Sequence, residues 1–121
     1  MTTKQPSASV RRGDVVLVLF PNSDLHTARL RPALVVQRDG LDTGLSQLVL
    51  AMITSRTFRA GHESRVAVTL DTQEGQATGL LTDSVVMTDN MATVAEVAID
   101  RRIGVLPMAT IDAALRHTLG L

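Results

Sequence analysis

Six short runs rich in β-branched and aliphatic residues, Val15–Phe20, Ala33–Gln37, Gln47–Ile53, Arg65–Leu70, Ser84–Met87 and Glu96–Ile99, follow one another at close spacing, separated by turn-forming residues. Runs this short cannot each bury an apolar face alone, so the pattern predicts a small barrel or sandwich of mostly antiparallel strands. The first three are almost continuously apolar, which predicts burial on both faces. Asp39-Gly-Leu-Asp-Thr-Gly44 carries a turn signal and reads as the connection between the second and third strands. Two further polar loops, Arg56 to Ser64 and Asp71 to Gly79, join it and the first loop, Pro21–Leu30, as candidates to line a cleft. The period then changes. Met108, Ile111, Leu115 and Leu119 recur at helical spacing, with Pro107 before the first turn and Gly120 at the far end, predicting one amphipathic C-terminal helix.

A chain of 121 residues holds one domain. Residues Met1 to Ser9 are rich in Thr, Ser, Gln and Pro and predict a disordered tail, leaving residues 10–121 as the domain. Aromatic residues make up only 2% of the chain, so the core must be aliphatic, and the stacking platforms of many single-strand binders are largely missing. Lys+Arg and Asp+Glu balance at 12 each. Binding to nucleic acid by overall charge is therefore excluded, and any such contact needs a local cluster. The basic residues are arginines apart from Lys4, and arginine is the better bidentate phosphate ligand. The chain has no cysteine, which rules out disulfides and thiolate chemistry and fits a reducing compartment. No run approaches the roughly 20 apolar residues of a membrane span, and the start lacks a signal-peptide core, so a cytoplasmic protein without membrane contact is expected. His62 and Glu63 have no third residue spaced for zinc, and we expect neither metal nor cofactor. No glycine-rich phosphate loop, nucleophile elbow or helix-turn-helix pattern occurs.

Arg31 precedes Pro32 at the mouth of the second strand. It reads either as a solvated charge beside a strand that Pro32 opens, or as a planar charged fork suited to a phosphate. Arg12-Gly13-Asp14-Val15-Val16, Arg31-Pro32-Ala33-Leu34-Val35-Val36, Ala51-Met52-Ile53-Thr54-Ser55 and Gly79-Leu80-Leu81-Thr82-Asp83-Ser84-Val85-Val86, in this order and with the closing Ala114 to Leu121, resemble the MazF/PemK toxin family across nearly the whole length. That family comprises endoribonucleases of bacterial toxin–antitoxin pairs.

The resemblance implies an SH3-like small β-barrel that forms a homodimer, binds a cognate antitoxin, and cleaves single-stranded RNA without metal through the RNA's own 2′-hydroxyl. It assigns Arg31 to the phosphorane, since arginine keeps its proton and serves as charge, not base. Thr54 would orient the phosphate and relay a proton; otherwise it is an ordinary β-branched strand residue. Asp83 would orient Arg31 or contact a base, or else begin a strand. Ser55 and Ser84 would add donors. The first loop departs from the Gly-Ser-Glu-Gln-Gly-Gly-like segment of many members and is closer to a PemK-like branch through Phe20-Pro21 and Asp24-Leu25. His26 is the one imidazole in that loop and the candidate for proton transfer. Arg29, Arg56 and Arg59 would track the RNA backbone, or simply solubilise their loops. Phe58 would stack on a base, or tuck onto the core. The competing reading is a non-catalytic binding module on the same fold, a gyrase poison or a degenerate antitoxin-binding protein. The end Thr118-Leu119-Gly120-Leu121 lacks the C-terminal tryptophan of the gyrase poisons.

Overall fold

The three apolar runs become β1 (Asp14–Pro21), β2 (Ala28–Val35) and β3 (Gln47–Thr54), at the heart of a computed structural model that describes residues 10–22 and 24–121. The tail expected over residues 1–9 lies outside the described residues. With β4 (Arg65–Val68), β5 (Ser84–Ala95) and β6 (Ile99–Val105) these strands form one antiparallel sheet of order β4-β5-β3-β2-β1-β6. The sheet is mainly β with a C-terminal helix, as expected. Its edges β4 and β6 are tied through the chain between β4 and β5, where Val105 donates its N–H to the Ala77 carbonyl at 3.0 Å.

Strand alternation gives the sheet two apolar faces. Val15, Leu34, Ala51, Ile53 and Val86 pack on one side with Ile111 of helix α2 (Ala109–Leu119), after a short α1 (Gln73–Gln76). Val16, Val18, Ala33, Val35 and Leu50 pack on the other with Ile99. Burial on both faces of the first strands follows, as their continuous apolar character requires. Helix α2 ends at Gly120 in the left-handed conformation (φ 72°). It is fastened at both ends: Arg12 pairs with Asp112 at 2.5 Å, and Thr88 meets Thr118 hydroxyl to hydroxyl at 2.7 Å.

Several boundaries differ from expectation. Strand β2 begins at Ala28, five residues early, because β1 pairs with it down to Pro21↔Ala28; the first loop shrinks accordingly, and Arg31 lies inside a strand. The expected last strand, Glu96–Ile99, is instead a 3-10 turn over Glu96–Ala98, with β6 following it along β1. Strand β5 runs on to Ala95 because β3 accompanies it to Gln47↔Ala95. The third loop contains α1, whose N-cap Thr72 accepts the Gly75 N–H at 2.9 Å.

Gly79 fixes one wall of the molecule. It has φ +72°, and a Cβ there would collide with the Ile103 backbone of β6. Gly44, with φ +81°, faces open space. Gly79→Ala should therefore cost roughly 2–3 kcal/mol in chemical denaturation, combining strain and displacement, and Gly44→Ala only about 1–2 kcal/mol. Asp89 provides a pH handle. The Arg65 hydrogen bond, Nη2 to Oδ2 at 2.9 Å, is the main cause that holds its carboxyl below the usual carboxylate range. Its stabilising contribution is thus complete above an ordinary carboxylate pKa of about 4 and fades as pH falls through the lowered value. Denaturation at pH 7 should find Asp89→Asn less stable than wild type, with the gap closing on acidification.

Candidate functional site: an arginine-lined cleft

Backbone groups of successive strand residues point to opposite sides. Val35 accepts from Gly13 on the β1 side, and Val36 donates to Val49 on the β3 side. Two-residue alternation then aims Pro32 at β3, where it has no N–H to give. The β2–β3 pairing accordingly stops at Ala33↔Met52, while β1–β2 pairing continues past Leu17↔Pro32 to the turn. Continued by two residues, the β2–β3 register sets Arg31 opposite Thr54, on the face shared by Ala33 and Met52. Beyond Pro32 a cleft of about 670 Å³ opens, wrapping the free end of the sheet.

Arg29, Arg31, Arg56, Arg59 and Arg101 line this cleft, and no aspartate, glutamate or histidine does. A chain of zero formal charge therefore carries five positive charges around one cavity. Elsewhere arginines are largely neutralised: Arg12 pairs with Asp112, Arg65 with Asp89, and Arg102 with Asp14. Within the cleft only Arg101 has an ion pair among the described residues, with its neighbour Asp100 at 2.6 Å.

Arg31 is half-buried and oriented. Its Nη2 donates to Asn22 Oδ1 at 2.9 Å, and Asn22 Nδ2 donates to Thr27 Oγ1 at 2.9 Å. Thr27 Oγ1 in turn donates to Asp24, at 2.9 Å to Oδ2. Asp24 also accepts the backbone N–H groups of His26 and Thr27, which are the largest causes lowering its carboxyl pKa. The β1–β2 turn is thus a clasp whose half-buried member, Asn22, holds the arginine. Thr54 Oγ1 accepts the Arg56 N–H at 3.2 Å, turning the chain out of β3.

Of the residues expected from sequence, the fold brings Arg29, Arg31, Thr54, Ser55, Arg56, Arg59 and Ser84 together along the cleft. Ser84 is buried, its hydroxyl donating to the Thr82 carbonyl at 2.9 Å. Phe58 stands 78% exposed on the 3-10 turn Thr57–Arg59, between two lining arginines, with the Arg59 guanidinium 5.9 Å from its ring centroid; it is not tucked onto the core. Two expectations need correction. His26 is exposed on the turn and outside the cleft lining, because Asp24 gathers the turn backbone around itself. Asp83 does not orient Arg31: its Oδ1 accepts the Leu70 N–H at 2.8 Å, and Asn22 takes that role. The loop Asp39–Gly44 lines a separate cavity of about 600 Å³. No cluster of three or more His, Asp or Glu side chains converges on a metal-sized position among the described residues, and no helix is long and apolar enough to cross a membrane.

Sequence reasoning missed Asn22, Asn90 and Arg101. Arg101 faces Leu17 across the β1–β6 ladder, a pairing that nothing in its local sequence announces. Asn22 stood in the loop that departs from the resembled pattern, and only its bond to Arg31 reveals it.

The family model of PemK-like, MazF-like toxins of type II toxin–antitoxin systems matches residues 11–119. A protein of Mycolicibacterium smegmatis named as a probable endoribonuclease MazF is 32% identical over 115 residues, covering 93% of this chain and 98% of that one. Among solved structures, a mycobacterial endoribonuclease in complex with its cognate antitoxin shares the fold with a TM-score of 0.71 at 22% identity, over 93% of this chain and 97% of the other. The toxin MazF-mt6 of Mycobacterium tuberculosis aligns with a TM-score of 0.64 at 26% identity, over 88% and 92%. A MazE–MazF complex from Deinococcus radiodurans gives 0.67 at 20% identity, over 93% and 96%. Family model, relative and fold agree: this chain belongs to the PemK-like, MazF-like toxins of type II toxin–antitoxin systems.

Proposed function

We propose that this protein is the toxin of a type II pair and acts in the cytoplasm as a metal-independent endoribonuclease on single-stranded RNA. The observation that carries this reading is the cleft itself, with five arginines and no carboxylate at the open end of a sheet in a chain of zero net charge. In the reaction the 2′-oxygen attacks the adjacent phosphorus and the P–O5′ bond breaks. The 2′-hydroxyl proton passes to solvent, and the departing 5′-oxygen takes one up. Arg31 stabilises the phosphorane, whose charge exceeds that of the ground-state diester, so its contribution is felt in the transition state. Thr54, opposite Arg31, orients a phosphate oxygen. Arg29, Arg56 and Arg59 hold flanking phosphates, Ser55 and Ser84 border the path, and Phe58 offers a ring to one base. Antitoxin binding is proposed alongside, supported by the relatives solved with antitoxins, and a homodimer is proposed from the family resemblance alone.

Incubation with long single-stranded RNA in EDTA should yield fragments ending in 2′,3′-cyclic phosphate. Arg31→Ala should lower kcat by about 10²–10³, the usual loss for one transition-state donor. Full cleavage by that variant, or none by the folded wild type, would contradict the reading and favour a binding module.

Asn22→Ala removes the acceptor that orients Arg31, and a hydrogen bond to a charged group is worth about 1.5–3 kcal/mol. We expect kcat to fall roughly tenfold or more with KM little changed. The cleft is lined by no carboxylate or imidazole, so log kcat should climb steadily with pH through neutrality. A plateau lost in His26→Ala would return the role of base to His26.

A further inference from the structure

Strand β5 contains an irregularity that serves the cleft. Met52 of β3 pairs with Met87, yet the preceding Ala51 pairs with Met91, so Thr88, Asp89 and Asn90 are extra residues on one strand. Bulges of this kind re-aim side chains and concentrate beside functional sites. Each of the three goes to a different place. Thr88 turns inward, fully buried, donating its N–H to the Ser64 carbonyl at 3.0 Å and meeting Thr118 of α2 at 2.7 Å. Asp89 is fixed sideways by Arg65 at 2.9 Å. Asn90 is left, and it joins the lining of the arginine cleft beside Met52 and Met87.

Among the described residues, Asn90 is the one carboxamide in that lining. Its side chain has no hydrogen-bond partner among the described residues, whereas the other carboxamide beside the cleft, Asn22, is committed to Arg31 and Thr27. Phosphate contacts fix a strand in register and carry no sequence information. The cleft's arginines are suited to that task. A carboxamide presents a donor and an acceptor side by side, which matches the edge of an unpaired base; adenine fits best, because its amino group and N7 meet the carboxamide bidentately on an edge where cytosine has no ring nitrogen.

We propose that Asn90 is a specificity-determining residue that reads the edge of one unpaired base, adenine foremost, in RNA held along the cleft. The inference rests on the ribonuclease reading above. It assigns Asn90 no part in the chemical step, and the Thr88 and Asp89 anchors exist to hold it in place.

The test compares full-length wild type, Asn90→Ala and Asn90→Asp on a randomised single-stranded RNA pool. Cut sites are sequenced, and pools bound by the same proteins carrying Arg31→Ala are sequenced in parallel. Wild type should prefer adenine at one position by tenfold or more. Asn90→Ala should flatten that position to within about twofold, by a loss of cutting at the adenine sites while the other sites are cut at the wild-type rate. Asn90→Asp, which can only accept, should shift the position toward guanine, whose Watson–Crick edge carries two adjacent donors. An unchanged cut-site profile in both variants, or an equal fall in cutting at all sites, overturns the inference while leaving the ribonuclease reading standing. If wild type binds with a base preference that Asn90→Ala loses, yet cuts nothing, the inference holds and the ribonuclease reading fails. Neither cutting nor preference by wild type overturns both. Thermal unfolding of each variant separates a misfolded protein from a changed preference, and Asn90→Gln, keeping the carboxamide, should retain the adenine preference in part.

Discussion

A single absent hydrogen-bond donor organises this molecule. Had residue 32 carried an N–H, the β2–β3 ladder would take its next pair there and seal the sheet against Ile53. Proline stops the ladder on that side alone, since its other flank faces β1 at a position where no ladder bond is made. Strand β2 therefore stays anchored to β1 while parting from β3. Arg31 and Thr54, opposite one another just past the last β2–β3 pair, become the two lips of an opening. The buried Val16, Val18, Ala33 and Leu50 behind them hold the backbone rigid, so a displacement of either lip would disturb close packing.

Electrostatics follow from that opening. Outside the cleft, Arg12, Arg65 and Arg102 are neutralised by Asp112, Asp89 and Asp14 within 3.5 Å. Those inside face a concavity free of carboxylates. Low-dielectric walls such as Leu17, Ile53 and Ile103 strengthen the field that a bound phosphate would meet. The Asn22–Thr27–Asp24 clasp keeps the arginine fork from sampling other rotamers, and such preorganisation is what separates a transition-state donor from a surface cation.

Much of this was legible in the sequence, and the pattern of what was not is instructive. Arg31 and Thr54 were readable through the resemblance carried by Arg31-Pro32-Ala33-Leu34-Val35-Val36 and Ala51-Met52-Ile53-Thr54-Ser55; their local sequence alone left a solvated charge and an ordinary strand residue open. The helix was readable from the spacing of Met108, Ile111, Leu115 and Leu119. Strand β6 was not, since Asp100, Arg101 and Arg102 interrupt its apolar alternation and only the exposed edge of β1 recruits it. Arg101 was lost with it. Asn90 was hidden by the bulge, which makes Thr88-Asp89-Asn90 look like the end of a strand that continues to Ala95. His26 and Asp83 were chosen for their chemistry, but local backbone bonds decide where they go. Asp24 organises the turn that displays His26, and Asp83 is consumed by the Leu70 N–H.

The central claim is that single-stranded RNA is held by the unpaired arginines of this cleft and not by the chain's charge at large. The most direct measurement is the salt dependence of affinity for a 2′-O-methyl oligonucleotide, which binds without being cut. Each phosphate neutralised on a single strand contributes a slope of about −0.7 in log affinity against log salt concentration. Arg29→Gln and Arg56→Gln should each make the slope shallower by about that amount, while Arg38→Gln, outside the cleft, should leave it unchanged. A slope indifferent to Arg29 and Arg56 but reduced by Arg38→Gln would contradict the account.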